Sequence, residues 1–138
     1  DELLELAGID RRDVFVTNAV KFRPVHIKPR GASNRTPQRS EVLASLPLLG
    51  AEIALAAPRF IATLGNTPLF AIAALSGLKP TVVGTVHGQP QTVAINAARY
   101  TLFPLYHPAS GIYNRELIRI MKEDLLRLGA FVREANRT

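Results

Sequence analysis

Three features of this chain could do chemistry. His107 follows the apolar run Tyr100–Leu105 and precedes Pro108. An imidazole there can donate or accept a hydrogen bond. Asn18 ends the β-branched and aromatic run Val14-Phe15-Val16-Thr17 and carries a donor and an acceptor side by side. The third feature is charge. Residues 14 to 40 hold no acid but six bases, Lys21, Arg23, Lys28, Arg30, Arg35 and Arg39. The other eleven bases are matched by eleven acids, so the net charge of +6 resides in this stretch. A clustered excess of this kind attracts phosphate. Taken singly, each feature has a plainer reading: a helix-start histidine, a turn asparagine and a solvated basic loop.

The elements that must position these residues follow from periodicity and punctuation. Residues 2–8 read as the end of an amphipathic helix stopped by Gly8. Val14–Thr17 reads as a strand. Residues 22–36 contain Pro24, Pro29, Gly31, Ser33 and Asn34 and read as a loop. Thr36-Pro37 looks like a cap and first turn. The helix that follows reaches about Ala57, with Pro47 and Gly50 predicting a kink or a late start. Phe60–Leu64 is a buried strand, and Gly65 turns it into a helix near residues 67–75. Residues 76–90 read mostly as loop. Thr92–Ile95 and Tyr100–Leu105 form a hairpin across Asn96-Ala97-Ala98. A last helix covers about 114–128, with Leu117, Ile120, Met121, Leu125 and Leu128 on one face and Gly129 ending it.

Strands alternating with helices predict an α/β fold, a three-layer sandwich with a largely parallel central sheet flanked by helices. Ligands of such sheets bind beyond the carboxyl ends of the strands. Asn18, Gly65 and His107 each follow a strand, which places them on one rim.

Composition narrows the classes. The chain has 138 residues and no cysteine, which excludes disulfides, thiolate zinc sites and cysteine-held iron–sulfur clusters within it. His26, His87 and His107 do not fall at helical ligand spacing, so no metal site is expected. The absence of an 18-residue uncharged apolar run argues against a membrane span. The acidic start, Asp1-Glu2-Leu3-Leu4-Glu5, does not read as a signal peptide, and a cytoplasmic monomer is the expectation.

The local words go further. Val16-Thr17-Asn18-Ala19-Val20-Lys21-Phe22-Arg23-Pro24 resembles the T-N-x-V-K-C-R-P segment of the iron–sulfur (family 4) branch of uracil-DNA glycosylases. Asn34-Arg35-Thr36-Pro37, Glu41 and Pro47-Leu48-Leu49 are similar to the words that follow it there. Pro58–Gly65 resembles the next strand and its T-L-G turn, and Tyr106-His107-Pro108-Ala109-Ser110 the Y-H-P block near that family's end. His87-Gly88-Gln89 stands where the family often has an R-G word. The words come in order and cover nearly the whole chain.

The resemblance implies that Asn18 reads the Watson–Crick edge of a flipped uracil. An amide accepts from N3–H and donates to O4, the opposite of what cytosine presents. It implies that His107 donates to uracil O2 as the glycosidic bond breaks. Lys21, Arg23, Arg30 and Arg35 would meet DNA phosphates, and Ser110, at a helix start, another. The implied activity is base-excision repair: flipping uracil from DNA and hydrolysing its N-glycosidic bond. The alternatives are a non-catalytic module of the same fold that binds DNA or a damaged base, and an unrelated nucleotide-binding domain.

Three departures qualify the match. Phe22 and Ser45 stand where two cluster cysteines align, so no cofactor is expected. The loop Val25–Ser33 is longer than usual and is reminiscent of a relative whose loop histidine is captured by the sugar. Asn34 occupies the matching position here, with His26 elsewhere in the loop. Finally, the family's first strand and its G-E-x-P-G block, which helps place the attacking water, would precede Asp1. The chain thus reads as a single domain, 1–138, that is incomplete at its amino end.

Overall fold

The computed structural model describes residues 2–21 and 37–137, and the backbone of 25–28 and 31–34. Its centre is a three-stranded mixed sheet in the order β3 (Phe60–Leu64), β5 (Ala98–Leu105), β4 (Gln91–Ile95). β3 and β5 are parallel, with Phe60 opposite Thr101 and Leu64 opposite Leu105. β4 and β5 are antiparallel across a two-residue turn, Asn96-Ala97, both with positive φ (51° and 70°). Tight hairpins need this conformation because its twist matches that of the strands.

Alternation along β5 divides the core. Tyr100 and Leu102 face one cluster with Val42, Leu49 and Ile53 of α2 (Arg39–Ala56) and Leu69 and Ile72 of α3 (Asn66–Ser76). Phe103 and Leu105 face a second cluster with Ala7 of α1 (Glu2–Ala7) and Leu125 and Leu128 of α5 (Arg115–Asn136). Helices therefore cover both faces, as the three-layer expectation requires. A short helix, α4 (Val83–Val86), interrupts the stretch read as loop.

Further expectations are corrected. Val14–Thr17 joins no ladder among the described residues, and Phe15 and Val16 are each 61% exposed. Strand-forming side chains are not sufficient; a strand needs a neighbour to take its backbone hydrogen bonds. The stretch 22–36 is not all loop. Its backbone forms an antiparallel hairpin, β1 (Val25–Lys28) with β2 (Gly31–Asn34), in which His26 opposes Ser33. Nor does Gly129 end the last helix, since α5 continues to Asn136. The glycine is there for approach. A Cβ at 129 would collide with the carbonyl oxygen of Ala7, where α1 crosses α5. The expected start of α2 also shifts: its N-cap is Gln38, whose backbone N–H donates to the Glu41 carboxylate at 2.8 Å. α2 runs unbroken through Pro47.

The crossing gives a test. In an isolated helix, glycine to alanine adds about 1 kcal/mol of helix propensity. Here the added methyl displaces α1, and overpacking of this kind costs about 1–3 kcal/mol. Gly129→Ala should therefore lower the urea midpoint. A midpoint that rises would mean that α1 does not dock there.

Candidate functional site

The carboxyl ends of β3 and β5 meet at one rim. The Gly65 amide donates to the Leu105 carbonyl at 2.8 Å, continuing the ladder one step beyond β3. Gly65 has φ +89°, and a Cβ there would lie 3.1 Å from that of His107. The turn after β3 thus presses directly on His107, and only glycine satisfies both demands.

His107 caps a 3-10 turn, Pro108–Gly111. Its Nδ1 accepts from the Ala109 backbone N–H at 3.1 Å. A ring nitrogen that accepts carries no proton, so the ring's hydrogen sits on Nε2. The side chain is exposed, and a single outward donor results. Ser110 is also exposed, and its amide donates to the His107 carbonyl at 2.9 Å. Beyond it, Ile112 and Tyr113 are 66% and 99% exposed.

Asn18 is reached differently. No strand presents it. The chain from Thr17 to Lys21 is instead tied to α2. The Lys21 ammonium pairs with Glu52 and donates to the Asn18 carbonyl and, at 2.7 Å, to Thr17 Oγ1. Thr17 Oγ1 in turn donates to Glu52 at 3.0 Å. The Lys21 amide donates to Oγ of buried Ser45 at 3.1 Å, and Ala19 and Val20 pack on the core. A hydrogen bond thus stands where the family resemblance aligns a cluster cysteine. The Asn18 side chain is exposed and has no partner among the described residues. Of the proposed phosphate contacts, Lys21 is occupied within the protein, with its side chain only 16% exposed. Arg23, Arg30 and Arg35 lie outside the described residues.

The hydrogen bond from Lys21, above all, holds the Glu52 carboxyl below the usual glutamate range, and the one from Thr17 adds to it. A depressed carboxylate stabilises the fold above its unfolded value, and that contribution disappears as pH falls through the folded value. The tether should therefore outlast ordinary exposed glutamates on acidification. Carboxyl 13C titration checks this; a Glu52 that titrates with the exposed glutamates would remove the tether.

Sequence reasoning missed Asp124. It is 2% exposed, and its Oδ2 lies 2.7 Å from His87 Nδ1. The signal was present: position 124 falls on the same apolar stripe of α5 as Leu117, Met121 and Leu128, where an acid is out of place. Among the described residues no cluster of three acids or histidines could hold a metal ion, and no helix is long and apolar enough to cross a membrane.

A groove of about 700 Å³ lies at the other end of the sheet, lined by Arg59, Arg99, Tyr100 and Phe131 among others, and does not include His107 or Asn18.

Comparison with known proteins matches the chain to a family. The family described as "Uracil DNA glycosylase superfamily" matches residues 1–129. The type-4 uracil-DNA glycosylase of Saccharolobus solfataricus is 35% identical over 120 residues, 87% of this chain and 52% of that protein. That of Pyrobaculum aerophilum is 36% identical over 124 residues, 90% of this chain and 60% of that protein. That of Thermotoga maritima is 33% identical over 135 residues, 96% of this chain and 64% of that protein. The chain therefore spans between half and two-thirds of the length of these relatives. On the family match, which covers nearly all of its residues, this chain belongs to the uracil-DNA glycosylase superfamily.

Proposed function

We propose that the protein removes uracil from DNA, with His107 stabilising the leaving base and Asn18 reading it. The observation that carries this reading is the hydrogen bond that His107 Nδ1 accepts at the end of β5. The Ala109 amide donates to Nδ1 of this exposed side chain, which leaves Nε2 as the ring's donor. When the bond between the sugar and uracil N1 breaks, its electron pair moves onto the base and charge gathers on O2. Water adds to the sugar carbon and leaves an abasic site. A donor already aimed at O2 needs no reorganisation, and one such donor contributes about 3 kcal/mol in comparable oxyanion sites. Ile112 and Tyr113, exposed just past His107, are apolar groups that could fill the gap left by an extruded base. Both proposed base contacts come from one chain, so a monomer suffices, and a cytoplasmic location goes with this reading.

The test is release of uracil from DNA strands carrying one uracil, followed as alkali-labile abasic sites. Absence of release with retained DNA affinity would favour the second reading, a binding module. That reading has one observation in its favour: residues 14–18 stand outside the sheet that builds the His107 rim.

The basic stretch supplies the backbone contacts in either reading, through Arg23, Arg30 and Arg35, with Ser110 beside the rim. Affinity should fall with salt by about 0.9 log units per log unit of salt for each phosphate met. Arg30→Ala with Arg35→Ala should flatten that slope and weaken all sequences alike. An unchanged slope would leave the stretch a solvated face.

A further inference from the structure

Asp124 is a buried acid in the middle of an apolar stripe, and the chain has been arranged around it. His87 donates to it through Nδ1 at 2.7 Å. Gly88 follows with φ +69°, and a Cβ there would collide with the same carboxylate. The Gly88 amide donates to the Pro104 carbonyl of β5 at 2.8 Å, and its carbonyl accepts from Arg127 of α5 at 3.0 Å. Upstream, the Val83 amide donates to Asn66 Oδ1 at 2.7 Å, just after the Gly65 turn. The segment 83–88 is thus fastened to β5, α5 and the Gly65 turn together.

These ties converge on one ring. The His87 imidazole lies 4.9 Å from the Tyr106 ring, centroid to centroid, tilted by 37°. A Cβ on Gly84 would lie 3.6 Å from the Tyr106 hydroxyl. Tyr106 is the residue before His107. Gly65 bears on His107 from one side, and Tyr106 fixes the backbone that enters it. The contact between the Asp124 carboxyl and His87 Nδ1 sets the plane of the imidazole ring. A buried acid is a poor way to gain stability alone, since an apolar residue of similar shape commonly does as well.

We propose that Asp124 and His87 are positioning residues for His107, acting through Tyr106. The proposal rests on the reading of His107 as the donor to the leaving base. Neither residue need touch DNA. The carboxylate orients the imidazole, the imidazole holds the tyrosine ring, and the ring holds the entry to the His107 turn.

The test uses three variants. Asp124→Asn keeps the shape and loses the obligatory acceptor. His87→Gln keeps a donor for Asp124 and removes the ring from Tyr106. His87→Arg keeps both a donor for Asp124 and a flat group that can stack on tyrosine. Two readouts are taken on each folded variant: the imidazole 15N and 1H shifts of His107, and the single-turnover rate of uracil release beside DNA affinity. Asp124→Asn and His87→Gln should move the His107 signals and slow release by about tenfold or more, as a displaced catalytic group does. DNA affinity should stay within about twofold, because the effect lies on the reacting geometry rather than on binding. His87→Arg should recover most of the rate. Unmoved His107 signals in folded His87→Gln would overturn the proposal, as would an Arg variant as slow as the Gln variant. Should Asp124→Asn fail to fold, His87→Gln still decides. Should the unaltered protein release no uracil, the functional reading fails, while the His107 shifts still report whether the pair positions that ring.

Discussion

Replacing His107 by alanine should slow uracil release by about 10²–10³-fold while leaving DNA affinity nearly unchanged. The asymmetry follows from when the hydrogen bond matters. In the bound ground state uracil O2 is a neutral carbonyl oxygen, and Nε2–H gains little over water. As the glycosidic bond lengthens, O2 becomes anionic, and the same bond becomes charge-assisted and stronger. Removing it therefore raises the barrier more than it weakens the complex. The fold should tolerate the change. The side chain is exposed, and what alanine loses in the free protein is one bond, from the Ala109 amide to Nδ1. That amide lies in an exposed turn and can turn to water instead. Single-turnover excision and equilibrium binding, measured on the same substrate, separate the two effects. If binding and turnover fell together, or the variant unfolded, His107 would be a cap for the Pro108–Gly111 turn and nothing more.

Asn18→Asp should abolish most uracil excision and direct any residual activity to cytosine. The amide accepts from uracil N3–H and donates to O4. A carboxylate in its place cannot donate and faces O4 with repulsion. It can accept from the cytosine amino group, and a protonated form can donate to cytosine N3. The mismatch costs about 1–3 kcal/mol once the bound base excludes water. Thr17→Ser is the control. It keeps the hydroxyl that bonds Glu52 and Lys21, so the Thr17–Lys21 tether survives. Excision is compared on strands with one uracil or one cytosine. Unaltered uracil excision by the Asp variant would mean that Asn18 does not read the base.

Much of the rim was legible in the chain itself. An apolar run ending in Gly65 and another ending before His107 predict two strands whose ends carry the unusual residues. Their parallel pairing, Leu64 beside Leu105, brings Gly65 against His107. The alternation of strands with helices predicted the layers, and the words around Asn18 and His107 predicted the family. These are local signals, set by side-chain periodicity, chain-reversing residues and short motifs.

What the tertiary structure decided depends on partners far away in sequence. Val14–Thr17 has the side chains of a strand but joins no ladder among the described residues, and its end is held by Glu52 instead. Gly129 looked like a helix stop because glycine costs helix stability, yet its lack of a side chain serves the crossing of α1 over α5. The hairpin of β1 and β2 was hidden among prolines and glycines that read as loop. Asp124 and His87 are 37 residues apart, and nothing local joins them. The tautomer of His107 was equally invisible, since it is set by the direction in which one backbone amide points. Sequence determined that Gly65 and His107 reach the rim. Hydrogen-bond geometry and close contact, which exist only once distant segments meet, decided how His107 is held there and which of its nitrogens is left to donate.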